Sequence, residues 1–373
     1  MLRIIISGGG TGGHIYPAIA IADELRRQFP DTVILFVGAE GRMEMEKVPA
    51  AGYPVVGLPV AGLQRRWSRQ NFALPFKLLR SIRKALRVIK DFKPDAVVGV
   101  GGYASVPILR AAQWRKIPTL LQEQNAYAGM ANRYLARRAR RICVAYDGME
   151  RFFPKDKIRL TGNPIRFTSR RTASDERAAA AAFFGLSPDK KTVLVVGGSL
   201  GARTLNRTMT FALPVLACGE VQFVWQTGKP YIVHALEALR ALKTAGRPPV
   251  IKAFDFIYRM DYAYAIADAV VSRAGAGAIA ELCMAGKACI FVPSPNVAED
   301  HQTGNAQALV AQDAALMIPD ANAETALLPA LLKLLQNDAR LNALRQNAAA
   351  LARPNAACEI VKEIQTIAAK YEV

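Results

Sequence analysis

The segment SGGGTGGHIYP at residues 7–17 follows directly on the apolar run LRIII at residues 2–6. A short strand therefore feeds six residues with almost no side chains, and a helix follows. Glycines allow φ > 0 and leave no Cβ between a ligand and the main-chain amides, while the N–H groups and positive dipole end of the helix favour an anion. Such a turn lets the backbone close on a phosphate. Gly8, Gly10 and Gly13 also carry the dinucleotide-binding spacing, which many glycine-rich turns after a strand satisfy. A tight turn packed for geometry alone is the alternative, and it leaves His14, Tyr16 and Pro17 without a reason.

Outward from this turn the chain repeats the same grammar. Short β-rich runs at 2–7, 32–37, 96–100, 119–122 and 141–145 are separated by segments long enough for crossover helices. Alternation of this kind predicts an α/β fold with a doubly wound parallel sheet. The pattern fades near 156–163, passes the Gly-Asn-Pro break at 162–165, and restarts after an alanine-rich helix near 174–184 with strands at 192–196, 221–226, 250–253, 269–272 and 288–292. The restart marks a second α/β domain. Two such halves in tandem are expected to place ligands in a cleft faced by the carboxyl ends of both sheets. A last amphipathic helix after Pro354 spaces Ile360, Ile364 and Ile367 for one buried face.

Length and composition bound the partners. A chain of 373 residues suits two domains, and 51% apolar residues with a mean hydropathy of +0.12 describe a globular protein. The sequence predicts no transmembrane helix and no signal peptide, hence a cytoplasmic protein. Five scattered cysteines without CxxC spacing read as buried or free thiols. The net charge of +19 calls for an anionic partner: nucleic acid, an acidic membrane surface or a phosphorylated substrate.

Four glycine-rich turns follow predicted strands, at 8–13, 99–102, 197–201 and 275–277. Two in each half suggest a ligand, or a pair of ligands, with several phosphates. His14 stands in the first turn of its helix, where the positive helix end keeps an imidazole in its basic form; a capping or packing histidine is the plainer alternative. Glu281 is placed in the first turn after the fourth glycine segment, either to complement the dipole or to accept from a ribose diol. Asp300 reads as an N-cap, but the adjacent His301 and Gln302 have no structural need. Leu78, Leu79, Ile82, Leu86 and Ile89 form a core-facing helical stripe, whereas Trp67, Phe72, Leu74 and Phe76 fall outside it among Arg65, Arg66, Arg69, Lys77, Arg80, Arg83 and Lys84. Bulky apolar groups rimmed by cations suit an anionic bilayer, and a solvated basic face is the alternative. Asp-X-Asp, HExxH, GxSxG and the P-loop pattern do not occur, so no metal-bound diphosphate, hydrolase elbow or P-loop is supported.

Seven motifs occur in the order of one family: GGTGGHIYP at 9–17, GVGGYASVP at 99–107, QEQNAYAG at 122–129, GNPIR at 162–166, GGSLGARTLN at 197–206, RAGAGAIAE at 273–281 and DHQTGNA at 300–306. Together they resemble the MurG family, bacterial UDP-N-acetylglucosamine transferases of glycosyltransferase family 28, over nearly the whole chain.

The resemblance implies a GT-B fold of two Rossmann-like domains facing a central cleft. Residues 1–163 would bind acceptor and membrane, residues 164–354 would bind UDP-N-acetylglucosamine, and the helix at 355–373 would pack back on the first domain. It implies an inverting, metal-independent transfer of N-acetylglucosamine to the 4-hydroxyl of undecaprenyl-pyrophosphoryl-MurNAc-pentapeptide at the cytoplasmic face of the inner membrane. No cofactor and no nucleic-acid partner are expected. By motif position, Arg166, Gly198 and Ser199 would meet the donor diphosphate, Ile257 the uracil through its backbone, Glu281 the ribose, and His301 and Gln302 the sugar. Thr11, Gly12, Gly13, Gly101 and Gly102 would cradle the acceptor pyrophosphate, with Tyr103, Glu123, Asn125 and Asn132 near the acceptor sugar and His14 as general base. The apolar and basic group Trp67, Phe72, Phe76, Arg80 and Lys84 would meet the bilayer. Leu200 stands where the family often has Gln, and Gln122 where it has His. The residues alone also admit an NAD-dependent oxidoreductase, from the first glycine turn and Glu40, or a non-enzymatic basic protein that binds membranes or nucleic acid.

Overall fold

In the computed structural model, residues 1–60, 74–166, 174–216, 221–244 and 250–369 are described. The chain divides into two compact units, residues 1–166 with 353–373, and residues 167–352. Each is built on one parallel sheet.

The first unit holds β1 (Arg3–Ser7), β2 (Val33–Ala39), β3 (Val55–Leu58), β4 (Ala96–Gly99), β5 (Thr119–Glu123), β6 (Arg141–Val144) and β7 (Ile158–Leu160) in the order β3-β2-β1-β4-β5-β6-β7. The second holds β8 (Thr192–Val196), β9 (Gln222–Gln226), β10 (Ile251–Phe254), β11 (Ala269–Ser272), β12 (Ala288–Phe291) and β13 (Leu316–Met317) in the order β10-β9-β8-β11-β12-β13. These are the doubly wound α/β sheets expected from the alternating pattern. The edge strands β3, β7 and β13 were not among the expected ones. They are short, at four, three and two residues, and mostly half-buried, which leaves little pattern to read.

The centre of the first sheet explains that run. Ile4, Ile5 and Ile6 of β1 are all fully buried, because alternate residues face opposite layers. Ile4 and Ile6 pack with Ile15, Ile19 and Leu25 of the helix Gly12–Gln28, whereas Ile5 packs with Ala85 and Ile89 of the helix Leu74–Phe92 and with Ile108. The terminal helix Ala356–Ala369 joins the former layer through Ile360, Val361, Ile364 and Ile367. Its Glu363 Oε2 accepts from Arg141 Nε at 2.9 Å, which fixes its position along β6.

The helix Leu74–Phe92 departs from the expected stripe. Ser81, Ala85 and Ile89 carry its buried line, at i, i+4 and i+8, while Leu78 and Leu79 are 45% and 48% exposed. The apolar run that periodicity assigned to the core therefore ends one turn short, leaving two leucines beside exposed Arg80 and Arg83. Trp67 and Phe72 lie outside the described residues, and Phe76 lies within the helix. No described helix is long and apolar enough to cross a membrane.

Ile364→Ala removes a fully buried side chain from the layer shared by β1 and the terminal helix, and should cost about 2–5 kcal/mol of stability in urea denaturation. A loss below about 1 kcal/mol would show that the helix contributes little to the first unit.

Candidate functional site

Strand order reverses between β1 and β4 in one sheet and between β8 and β11 in the other, and the four glycine turns leave the carboxyl ends of these strands. Ser7 lies in register with Gly99, and Val196 with Ser272. At such a switch point the two crossovers diverge to opposite faces and leave a crevice. Four turns that look independent in the sequence thus form two adjacent pairs.

In the first unit the pair is tightly joined. A Cβ on Gly102 would run into the carbonyl oxygen of Gly9, and one on Gly10 would lie 3.2 Å from the Tyr103 ring. Gly10, Gly101 and Gly102 have φ of +86°, +94° and +80°, so backbone conformation and space both demand glycine. The helix Gly12–Gln28 starts beneath this pair with Thr11 extended, no side-chain cap and no acidic residue in its first turn. Its positive end is left for an anion.

His14 lies where the two turns meet. Its Nδ1 is 3.2 Å from the Gly9 carbonyl oxygen and 3.2 Å from Thr11 Oγ1. A carbonyl only accepts, so a hydrogen bond to Gly9 requires the proton on Nδ1 and leaves Nε2 as the basic nitrogen of that tautomer. Nε2 faces Gly101, where a Cβ would stand only 3.1 Å away.

Behind the turns lies a buried polar network. Glu123 is 2% exposed; its Oε1 accepts from the Asn125 N–H and amide, and its Oε2 from the Gly129 N–H and Asn132 Nδ2. Burial pushes its carboxyl above the ordinary range, and these bonds pull it partly back. Asn132 also donates from Nδ2 to the Gln122 carbonyl at 3.1 Å, which assigns its amide orientation and turns Oδ1 the other way, buried and without a partner. Gln122 is fully buried and donates to Asn163 Oδ1 at 3.2 Å, so this position ties the Gly-Asn-Pro segment to β5. Asn163 in turn donates to the Gln124 carbonyl, and Gln124 to the Val100 carbonyl. Arg166 lies at the end of this segment, with Nε 3.3 Å from Asp23 Oδ2.

In the second unit the turn at 197–201 has Gly198 and Gly201 at φ of +86° and +78°, with Ser199 and Leu200 exposed. Gln226 at the end of β9 is buried and donates to the Gly198 carbonyl at 3.1 Å, while its Oε1 accepts from the Ile257 N–H at 2.8 Å. One side chain thus spans the turn and the segment holding Ile257, a link that the sequence did not reveal. The partner turn precedes the helix Ala276–Met284, which has no acidic residue in its first turn. A Cβ at Gly275 or Gly277 would meet nothing within 4 Å, so close packing does not explain these glycines.

Glu281 sits in the second turn of that helix, not the first, and the dipole does not account for it. Burial raises its carboxyl above the ordinary range, and the Tyr264 hydroxyl donates to its Oε2 at 2.9 Å. Ahead of His301, both Glu299 and Asp300 have left-handed φ, of 56° and 49°. Asp300 occupies the N-cap position without capping the backbone; its Oδ1 accepts from Thr303 Oγ1 at 2.7 Å instead. Two non-glycine residues in this region store strain that ordinary helix entry does not need. His301 is half-buried, and Gln302 Oε1 accepts from the Ser294 N–H at 2.9 Å, which turns its amide nitrogen to the other side.

Comparison with known families matches residues 4–144 to the glycosyltransferase family 28 N-terminal domain and residues 192–360 to the glycosyltransferase family 28 C-terminal domain. The chain belongs to glycosyltransferase family 28. Among similar family 28 proteins is a UDP-N-acetylglucosamine--N-acetylmuramyl-(pentapeptide) pyrophosphoryl-undecaprenol N-acetylglucosamine transferase of Parabacteroides distasonis. It is 55% identical over 98% of both chains. One of the same name from Porphyromonas gingivalis is 52% identical over 98% of this chain and 96% of the other. The crystal structure of Acinetobacter baumannii MurG superposes with a TM-score of 0.79 at 30% identity, over 98% of this chain and 100% of that one. The resemblance read from the seven motifs is thereby established, as is the GT-B architecture of two Rossmann-like sheets.

Neither alternative drawn from the sequence gains support. Glu40, which an oxidoreductase would need for a ribose, accepts from Lys84 Nζ at 2.8 Å on the surface. Among the described residues, no group of three or more His, Cys, Asp or Glu could hold a metal ion.

Two substitutions separate the reasons for glycine at this family 28 site. Gly102→Ala should destabilise the protein by about 1–3 kcal/mol in urea denaturation, because it strains φ and displaces the Gly9 carbonyl. Gly277→Ala should stay within about 0.5 kcal/mol of the parent. Equal stability for the two variants would remove the argument.

Proposed function

We propose that this family 28 enzyme transfers N-acetylglucosamine from UDP-N-acetylglucosamine to the 4-hydroxyl of undecaprenyl-pyrophosphoryl-MurNAc-pentapeptide. Relatives of that name, more than half identical over nearly the whole chain, support the reaction. Placement of a histidine with a defined basic nitrogen between two glycine turns supports the chemistry.

The acceptor pyrophosphate lies on the main-chain N–H groups of Thr11, Gly12 and Gly13 and on the turn at Gly101 and Gly102, at the positive end of the helix Gly12–Gln28. Asn132 stands toward the acceptor sugar, and Glu123 holds its amide in place. Tyr103 and Asn125 complete this wall. His14 Nε2 takes the proton of the 4-hydroxyl as the oxygen attacks the anomeric carbon from the side opposite the diphosphate. The carbon–oxygen bond to UDP breaks with inversion.

The donor rests on the second unit. Gly198, Ser199 and the helix N-terminus at Ala276 meet the diphosphate, with Arg166 as a further cation. Ile257 reads the uracil through its backbone, Glu281 accepts from the ribose diol, and His301 and Gln302 hold the sugar hydroxyls. Charge developing on the leaving phosphate is met by N–H groups already aimed at it, so the reaction proceeds without a metal or other cofactor.

The protein works at the anionic cytoplasmic face of the inner membrane, where the acceptor's polyprenyl tail stays embedded. Exposed Leu78 and Leu79 beside Arg80 and Arg83 support this docking face, to which the sequence adds Trp67, Phe72, Phe76 and Lys84. The positive charge then serves lipid and pyrophosphate, and no nucleic acid is a partner.

Purified protein given UDP-N-acetylglucosamine and a short-chain lipid acceptor in excess EDTA should release UDP and form the disaccharide. His14→Ala should lower turnover at least about a hundredfold. Strict dependence on a divalent ion would refute the metal-independent step, and a near-parental rate for the variant would remove His14 as the base. Sedimentation with vesicles containing anionic phospholipid tests docking: replacing Phe72 and Phe76 with Ser should weaken partitioning about tenfold or more. Unchanged partitioning would leave that stretch as a solvated face.

A further inference from the structure

Glu44 is a fully buried carboxylate to which the reaction above gives no part. It opens the helix Glu44–Ala50, just after β2, and reaches under the first glycine turn. Its Oε1 accepts from the Ala39 N–H at 2.8 Å and its Oε2 from the Gly10 N–H at 3.2 Å. Gly9 and Gly38 make room for it, since a Cβ on either would overlap the Glu44 side chain.

The Gly10 N–H belongs to the same peptide group as the Gly9 carbonyl, and that carbonyl faces His14 Nδ1 at 3.2 Å. Carboxylate, peptide and imidazole are therefore in series. A charged acceptor on the N–H side polarises the peptide and strengthens its carbonyl as an acceptor, and it fixes the plane of the peptide against rotation.

We propose that Glu44 is the positioning residue of His14, acting through the Gly9–Gly10 peptide to hold the imidazole with Nδ1 protonated and Nε2 directed at the acceptor. The proposal rests on the assignment of His14 as the base. A carboxylate is required because two main-chain donors from different segments converge on it. Glutamine offers one oxygen, and its NH2 would face the other N–H. The arrangement performs the orienting work that an acidic side chain does when it bonds an imidazole directly.

The test is a double-mutant cycle on the full-length protein. Glu44→Gln and Glu44→Ala are made alone and with His14→Ala. The readouts are kcat, KM for each substrate, UDP affinity by calorimetry and the thermal midpoint. Glu44→Gln should lower kcat roughly ten- to a hundredfold, with KM for the donor and UDP affinity within about twofold of the parent. In the His14→Ala background the same change should alter kcat by less than about twofold, because the residue it serves is gone. Equal fold-losses in both backgrounds would reduce Glu44 to general support of the fold and overturn the proposal, as would a parental kcat for Glu44→Gln. Failure of Glu44→Ala to fold leaves the decision with the Gln variant. Near-parental turnover by His14→Ala would sink the base assignment and this proposal together, whereas an additive cycle with a crippled His14→Ala sinks only the latter.

Discussion

A parallel sheet whose strand order reverses cannot cover the carboxyl ends of the two strands at the reversal. Crossovers leave those strands for opposite faces, and the main-chain N–H groups of both following turns point into the gap. Both units are built this way, at β1 and β4 and at β8 and β11. The consequence is chemical as much as geometric. Each gap concentrates partial positive charge from turn amides and a helix end, and in both units the helix after the gap has no acidic residue in its first turn to neutralise it. An electrostatic preference for an anion is thus set by the topology before any side chain is considered.

Side chains then decide what else each gap can do. In the first unit the floor is a chain of buried amides and one carboxylate: Glu123, Asn132, Gln122, Asn163 and Gln124. Burying such groups is costly unless nearly all their hydrogen bonds are made, and nearly all are. The exception, Asn132 Oδ1, is held rigidly by the satisfied half of its own amide. The second unit has a different floor, in which Gln226 joins the Gly198 carbonyl to the Ile257 N–H, so that the turn and the neighbouring segment share one support.

Much of this was legible in the chain. The central strands announce themselves because both faces are covered, as with Ile4, Ile5 and Ile6, and the glycine turns because only glycine suits φ near +90° beside another backbone. What stayed hidden depends on spatial neighbours remote in sequence. Nothing near Glu44 marks it as the acceptor for Gly10, thirty-four positions away. Periodicity placed Leu78 and Leu79 in the core because it reports spacing and not where a helix leaves its sheet. Glu123 reads as a site residue by motif position, yet its carboxylate is spent on Asn125, Gly129 and Asn132, a commitment that only the hydrogen-bond network reveals.

The first turn carries the spacing of a dinucleotide site, and its surroundings explain why that spacing misleads. A dinucleotide needs open space above the turn and an unengaged acid at the end of the second strand. Here Gly10 lies against the Tyr103 ring, the Gly9 carbonyl against Gly102 and His14, and Glu40 pairs with Lys84 on the surface. The other acid of that region, Glu44, has gone underneath the turn instead of beside it, to the N–H side of the peptide whose carbonyl meets the imidazole. Room for the Glu44 side chain is why neither Gly9 nor Gly38 can carry one of its own.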